Sequence, residues 1–548
     1  MQSVDDILAR LETLNAIGVA LSTERDLPTL LERILEAARE FARADGGTLY
    51  KVDGDRLRFE VLRNHSLGYF KGGRHGEPIE FEPLPMYLAD GSGNHNMVVA
   101  HAALTGETIN IPDAYDARGY DFSGTRAFDA RTGYRSQSFL TVPMKDHDGQ
   151  VIGVLQLINA KDAGGNTVAF SQADQRLVES LASQAAIALN NRRLIDQLEN
   201  LFEALINLIN TAIDEKSPYT GGHCERVPVL TSLLAEAAHR TDVGPLAEFR
   251  MDEADRYELK IAGLLHDCGK ITTPVHVVDK ATKLQTLFDR IELIDTRFEV
   301  LRRDAGIARL KGELDEEGYR ERLARLDADR EAVRQANIGG EFMDDARIAN
   351  LQRIAGQRWR GPDGSEQPFL SADELENLSI RRGTLTQAER EIINHHIVMT
   401  IRMLEALPWP PHLRRVPEFA GGHHERMDGK GYPRGLTREQ MSLQARVMGI
   451  ADVFEALTAA DRPYKTGKTL SESLTILGRM KLDNHIDPDL FEVFLRERVY
   501  LEYAERFLPA EQIDVVDWHR IPGVPPALAT ELTARDAAHR AARGPAAG

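Results

Sequence analysis

The sequence predicts a multidomain chain: an N-terminal α+β domain, a long connecting helix, and a C-terminal all-α domain interrupted by a helical insertion. Three observations carry that prediction. Helix-like and strand-like hydrophobic periods alternate over the first 170 residues, no proline or glycine occurs from Ser171 through Ile213, and beyond Thr220 the apolar spacing is almost everywhere helical. At roughly 150 residues per domain, 548 residues leave room for about three or four units. A composition of 42% hydrophobic and 28% charged residues is that of globular domains.

In the first domain, Leu30, Leu31, Ile34, Leu35 and Ala38 fall on one helical face, and Gly46 and Gly47 are read as closing that helix. Strands are expected over Thr48 to Val52, Leu57 to Leu62, Phe139 to Met144 and Val151 to Ile158. The last two are separated by a glycine-bearing turn from Asp146 to Gly149. Helices at both ends of a mainly antiparallel sheet make a unit of sensor size. His75, His95 and His101 lie in loop-like sequence and are expected at the surface.

In the connecting helix, Ile195, Leu198, Phe202, Leu205 and Ile209 repeat at 3-4-3-4 spacing, a short heptad seam along which two chains could pair. The insertion, from about 284 to 382, contains the segment ELDEEGYRERLARLDADREAVRQ, which reads as a solvated helix carrying i,i+4 ion pairs in a protruding hairpin. The tail from Pro522 is rich in Pro, Ala and Arg and is expected to be disordered.

Charge and cysteine usage narrow the function. A net charge of −18 repels phosphate backbones, so general nucleic-acid coating is disfavoured, whereas a small anion held by a few cations or metal ions is not. Cys224 and Cys268 cannot build a disulfide framework and fit a reducing compartment. The opening residues, MQSVDDIL, carry acids where a signal peptide needs bases, and no stretch approaches the ~20 apolar residues of a membrane span. A soluble, cytoplasmic protein with no membrane contact is expected.

Histidine and aspartate cluster in short segments of the α domain. These are GGHCERV with His223, LLHDCGK with His266 and Asp267, NHHIVMT with His395 and His396, GGHHERMDGKGYP with His423 and His424, and IADVFEALT with Asp452. Neutral imidazoles and carboxylates suit a first-row transition ion, and an aspartate can bridge two. Set among apolar neighbours, so many buried polar groups need a metal to collect them. The zinc-protease pattern is excluded, because no second histidine lies three residues after Glu425.

At these residues the chain resembles the HD-GYP phosphodiesterases, a branch of the HD-domain metal hydrolases. LLHDCGKITTP is similar to their HDxGK segment, HHERMDGKGYPRGL carries the HHExxDGxGYP signature from His423 to Pro433, and ADVFEALTAADRPYK is similar to the segment with their last metal-binding aspartate. The stretch before the signature aligns so that His396, not His395, is the ligand. The resemblance runs from about 200 to 282 and from 383 to 505. It implies hydrolysis of cyclic di-GMP to pGpG or GMP with two iron or manganese ions. The implied metal ligands are His223, His266, Asp267, His396, His423, His424 and Asp452, with Lys270, Arg462 and Lys465 facing the substrate phosphates. Some members carry acids where this chain has Tyr219 and Ser217, which argues against a third ion.

The chemistry follows physically. Two cations about 3.5–4 Å apart polarise the phosphoryl oxygens and lower the pKa of a water towards 7, so no side-chain nucleophile is needed. Asp267 is expected to bridge the ions. Lys270, at i+3, is expected to steady charge on the phosphate or the leaving 3′ oxygen. Gly429, Gly431 and Pro433 exclude regular helix around Tyr432, a base-stacking candidate in a loop that the resemblance links to contacts with partner diguanylate cyclases. Cys224 and Cys268 are read as small buried hydrophobes rather than redox switches.

The amino-terminal domain resembles a GAF sensor, since VIGVLQLINAKD followed by FSQADQRLVESLASQAAIAL is similar to the closing strand and helix of that fold. Asn159, Lys161, Phe170 and Asp174 come close to a motif of cyclic-nucleotide-binding members, but Ala160 and Gln175 break it, and the GAF ligand stays unassigned.

The expected organisation is therefore a GAF-like domain over 1–170, a signalling helix over 171–215, an HD-GYP catalytic domain over 216–505 and an extension over 506–548. A GAF ligand would act through the helix ending near Ile213, ten residues before His223. Hydrolysis of another cyclic dinucleotide, or a silent module that binds such a nucleotide or a cyclase, remains open from sequence alone.

Overall fold

The computed structural model describes residues 15–21, 23–24, 26–216, 222–340, 342–460 and 467–543. The chain divides into two compact units, 1–202 and 203–548.

The first unit is built on an antiparallel sheet. Its strands are β1 (Ala44–Asp53), β2 (Arg56–Asn64), β3 (Tyr69–Gly72), β4 (Leu84–Pro85), β5 (Ile109–Ile111), β6 (Phe139–Lys145), β7 (Val151–Lys161) and β8 (Thr167–Val168). Their order is β3-β2-β1-β7-β6-β5, with β4 paired to β2 and β8 to β7. Helix α1 (Leu27–Ala42) packs Leu31, Ile34 and Leu35 with Leu49, Leu155 and Leu157 in one core, which Val178, Leu181 and Ala185 complete. Tyr50 and Val154, next along the same strands, belong to a second core with Val99 and Ala103 of α2 (Val98–Thr105). Both faces of the central strands are therefore covered, which is why β6 and β7 read as nearly unbroken apolar runs.

Two expectations for this unit need correction. Helix α1 ends before Arg43, which adopts the left-handed conformation, so Gly46 and Gly47 do not close it. Both glycines lie inside β1, where a Cβ on Gly47 would stand 2.8 Å from Leu35 Cδ1 and 2.9 Å from Leu157 Cδ2; close packing selects them. His75 and His95 are exposed, but His101 is a half-buried residue of α2, with its Nδ1 3.2 Å from Nδ1 of His95. A further helix, α3 (Ser123–Thr132), precedes the connector.

The connector is helix α4 (Gln172–Lys216), 45 residues long. Its exposed apolar residues include Leu194, Leu198, Leu201, Leu205 and Leu208, again at 4-3-4-3 spacing. Of the expected seam, Ile195, Leu198 and Leu205 are exposed, whereas Phe202 and Ile209 are half-exposed.

The second unit carries α5 (His223–Arg240), α6 (Glu253–Leu265), a 3₁₀ turn (Cys268–Thr272), α7 (Val275–Val278), α8 (Ile291–Leu310), α9 (Glu316–Asn337), α10 (Asp345–Ala355), a hairpin of β9 (Arg358–Arg360) and β10 (Glu366–Pro368), and α11 (Ala372–Leu378). It continues with α12 (Gln387–Glu405), α13 (Val416–Gly421), α14 (Leu443–Thr458), α15 (Leu470–Leu482), α16 (Pro488–Arg496), α17 (Val499–Phe507) and α18 (Pro526–Arg543). Helix α5 packs on α6 and α14, and α12 packs on the 3₁₀ turn and α13.

The insertion is not a bare solvated hairpin. Ile294, Phe298, Leu301, Leu326, Val333, Leu351, Ile354 and Phe369 form a core of their own. The charges of α9 mostly tie it to α8, through Arg330 with Asp295 and Glu299 and Arg334 with Asp295, rather than running along α9 at i,i+4. Buried Lys280 closes the base of the insertion, donating to Asn377 and Glu389, and buried Lys283 donates to the carbonyls of Leu378 and Ile380. The tail also departs from expectation, because α18 buries Leu528, Ala529 and Leu532, and its Asp536 accepts from Trp518 Nε1 and pairs with Arg498. Apolar residues one helical turn apart outweigh the Pro and Ala content there. Among the described residues, no helix is long and apolar enough to cross a membrane.

Candidate metal centre

The seven histidines and aspartates arrive from several elements of the second unit. His223 is the first residue of α5, His266 caps the end of α6, and Asp267 opens the 3₁₀ turn. His396 lies in the middle of α12, His423 and His424 follow α13 in a turn, and Asp452 projects from α14. Gly269 lets the HDCGK turn press against α12: a Cβ there would stand 2.0 Å from His396 O, and its N–H donates to Thr400 Oγ1 at 2.9 Å.

The side chains converge as two groups. In one, His223 Nε2 lies 3.1 Å from Asp267 Oδ2, 3.4 Å from Asp452 Oδ1 and 3.3 Å from His266 Nε2. In the other, His396 Nε2 lies 3.2 Å from His424 Nε2, and His423 stands beside them with its ring 4.1 Å from that of His424. Within each group the candidate ligand atoms all fall within 4.8 Å of one another, a set of His and Asp side chains able to hold a metal ion. Asp267 belongs to both arrangements, since its Oδ2 faces His223 and His266 while its Oδ1 is 3.3 Å from His396 Nε2.

The donor set fits a pair of cations. Imidazole nitrogens gather within 3.2 and 3.3 Å of one another, and Asp267 Oδ1 and His423 Nε2 are buried with no hydrogen-bond partner. Electrostatics agree. Burial opposes ionisation of Asp267, yet Lys270 and the imidazoles overcome it and hold the carboxyl well below the usual range. Asp452 is held low against the same burial by its hydrogen bond to His223 and by the neighbouring imidazoles. Burial, and then His266, push His423 down to about 4, so its ring stays neutral as a ligand must. His223 moves the opposite way: its bonds to Asp267, Asp452 and Glu455 outweigh burial and raise it well above the usual value.

The remaining sequence candidates fall as follows. Lys270 sits on the 3₁₀ turn, whose three-residue period returns it above Asp267, and its Nζ lies 2.5 Å from Asp267 Oδ2. Tyr432 stacks on His424 at 4.9 Å with the rings 20° apart. His395 is exposed, whereas His396 is buried. Arg462, Lys465, Tyr219 and Ser217 lie outside the described residues. Both cysteines are buried, and burial pushes the Cys268 thiol up to about 11 and raises that of Cys224 as well, which suits inert packing.

Three residues around the centre escaped the sequence reading. Glu455, one turn beyond Asp452 on α14, accepts a hydrogen bond from His223 Nδ1 and pairs with Arg226. The available signal was an acid on the buried face of an apolar helix. Buried Glu425 accepts from the backbone N–H of Arg434 at 2.7 Å and of Leu436 at 2.9 Å, and so shapes the loop that carries Tyr432. Lys216, the last residue of α4, donates to the carbonyls of Lys270 and Ile271.

Comparison with known proteins agrees with this architecture. A GAF domain family model matches residues 26–189, and two HD domain models match residues 220–341 and 372–490. The chain is 24% identical over 317 residues to 3'3'-cGAMP-specific phosphodiesterase 3 of Vibrio cholerae, covering 58% of this chain and 42% of that protein. It is 46% identical over 81 residues to 3'3'-cGAMP-specific phosphodiesterase 1 of the same organism, covering 15% and 19%. A cyclic di-GMP phosphodiesterase of Pseudomonas aeruginosa is 38% identical over 120 residues, 21% of this chain and 26% of that one. The chain thus spans less than half the length of these relatives. These matches show that the chain carries a GAF domain followed by an HD domain, and the residues from His423 to Pro433 are similar to the HD-GYP signature.

Proposed function

We propose that this chain is a metal-dependent phosphodiesterase that opens a cyclic dinucleotide, with cyclic di-GMP as the favoured substrate and pGpG or GMP as product. The observation that carries this reading is Asp267, a buried carboxylate whose two oxygens face two separate histidine groups. His223, His266, Asp267 and Asp452 would hold one ion, and Asp267, His396, His423 and His424 the other; iron or manganese is assigned by the resemblance, and these N and O donors suit first-row transition ions generally. Bound ions supply Lewis-acid activation of the phosphoryl group and of water. Lys270, alongside Asp267, places a positive charge where phosphate oxygens or the departing 3′ oxygen gather charge. Tyr432 offers an aromatic surface at the rim, and Arg462 and Lys465 are assigned to the phosphates by resemblance alone.

A second reading keeps the chemistry and changes the bases. Metal ligands do not read nucleobases, and two of the relatives act by name on 3'3'-cGAMP. We assign residues 1–170 to ligand sensing, 171–215 to signal transmission, 216–505 to catalysis and 506–548 to an extension. Parallel pairing of two chains along Leu194, Leu198, Leu201, Leu205 and Leu208 gives a homodimer, and the GYP loop is the surface for a cyclase partner. One experiment decides most of this. Protein purified without added metal is assayed for iron, manganese and zinc, and its hydrolysis of cyclic di-GMP, 3'3'-cGAMP and cyclic di-AMP is compared. Two ions per chain and turnover of one of them support the reading, and a metal-free chain inert on all three after iron and manganese loading ends it.

A further inference from the structure

Three of the clustered imidazoles are fixed from behind in one way. His266 Nδ1 donates to Gly263 O at 2.7 Å, His396 Nδ1 to Ile393 O at 2.5 Å and His423 Nδ1 to Ala420 O at 2.6 Å. In each case the acceptor is the carbonyl three residues earlier, supplied by the preceding turn of helix. That bond fixes the tautomer, leaving the Nε2 lone pair to face the centre.

His223 is held differently. It is the first residue of α5, and Gly222 before it has φ 79°, outside the helical range. Its Nδ1 is met from another helix by Glu455, a carboxylate only 1% exposed. The second oxygen of Glu455 takes Arg226 Nε and an Arg226 terminal nitrogen, each at 2.7 Å. Glu455 is therefore pinned on one side and committed to the imidazole on the other.

We propose that Glu455 is a positioning residue that fixes the tautomer and ring plane of His223 and, as an anion, makes His223 a stronger donor than the imidazoles held by neutral carbonyls. Glu455 touches neither substrate nor ion. Its effect falls on the ion held by His223, His266, Asp267 and Asp452, and leaves the ion of the other group alone. The inference rests on the two-ion reading above, and its test separates the two.

The test is a manganese titration of metal-free, full-length protein against a chromophoric chelator, with a thermal melt of the metal-free form alongside. The variants are Glu455→Gln, Glu455→Asp and Arg226→Met. In E455Q one binding step weakens about 10- to 100-fold, the size of effect that hydrogen-bond partners behind a ligand have on metal affinity, and the other step stays within about threefold. E455D, which keeps the charge, recovers part of that loss. R226M lowers the melting temperature but leaves both steps within about threefold. Two unchanged steps in E455Q, or equal losses in E455Q and R226M, overturn the proposal, the latter because a mere strut between α5 and α14 is broken by either change. Should E455Q fail to fold, two unchanged steps in E455D do the same. Wild-type protein that takes up no ion refutes the two-ion reading itself, whereas two ions bound equally by wild type and E455Q refute this inference alone.

Discussion

Each unit buries a polar cluster, and the two clusters are finished differently. In the first unit, the carboxylate of buried Asp129 accepts from Tyr115 Oη, Ser136 N and Ser136 Oγ, each at 2.8 Å. Asn159, held at φ 58°, accepts from the N–H groups of Gln137 and Ser138 and donates to Tyr134 Oη and Arg135 O. Donors meet acceptors, and these groups close on themselves. In the second unit imidazole nitrogens face imidazole nitrogens, and Asp267 Oδ1 and His423 Nε2 have no hydrogen-bond partner. A closed network stabilises the chain that owns it. An open one of matched acceptors is costly to fold and pays off only when a cation completes it.

The contrast can be broken most severely at the shared carboxylate. Asp267→Asn should cut hydrolysis at least about a thousandfold, the scale of the several kcal/mol that two-ion activation supplies, and should lower bound metal per chain, measured by elemental analysis. A variant that keeps both ions and its turnover would remove Asp267 as the bridge.

Next in size is an acid effect in the metal-free protein. His423 has its folded-state pKa depressed to about 4 from 6.5, so its contribution to stability is present above about pH 6.5 and is lost as pH falls towards 4. Denaturant melts of wild type and His423→Gln should therefore differ by an amount that grows by about 3 kcal/mol from pH 4 to pH 6.5. A pH-independent difference would show that the ring is not buried neutral.

In the closed cluster the effect is on folding alone. Asp129→Ala leaves Tyr115 and Ser136 without their acceptor and should cost about 1–3 kcal/mol of first-unit stability, read by denaturant melts, with metal content unchanged. Loss of metal in that variant would mean the clusters are not independent. The smallest change is expected from Tyr432→Ala, which removes one stacking face and should weaken substrate binding by about 1 kcal/mol, roughly fivefold, with metal content intact. Equal affinity for substrate would restrict Tyr432 to supporting His424.

What the sequence made legible follows from where information is local. The cores of β1, β2, β6 and β7 were readable because apolar runs and a turn are local signals, and the histidines and aspartates were readable because metal-ligating side chains have few other reasons to crowd into apolar helices. Glu455 was not, since its partner, His223, is 232 residues away and a lone glutamate on a helix ordinarily faces water. The insertion was misread for a related reason. Its arginines and acids match the pattern of a solvated helix equally well when they pair across two helices, and only Ile294, Phe298 and Leu301 hinted at a separate core. The glycines of β1 were mistaken for a helix stop because sequence does not distinguish a flexible glycine from one selected for lack of bulk.

Lys216 ends α4 with its ammonium set between the carbonyls of Lys270 and Ile271. Those carbonyls belong to the short turn that also presents Asp267 and the Lys270 side chain. A sliding or twisting of the final turn of α4 would therefore pull, as on a lever arm, on backbone only a few bonds from the Asp267 carboxylate.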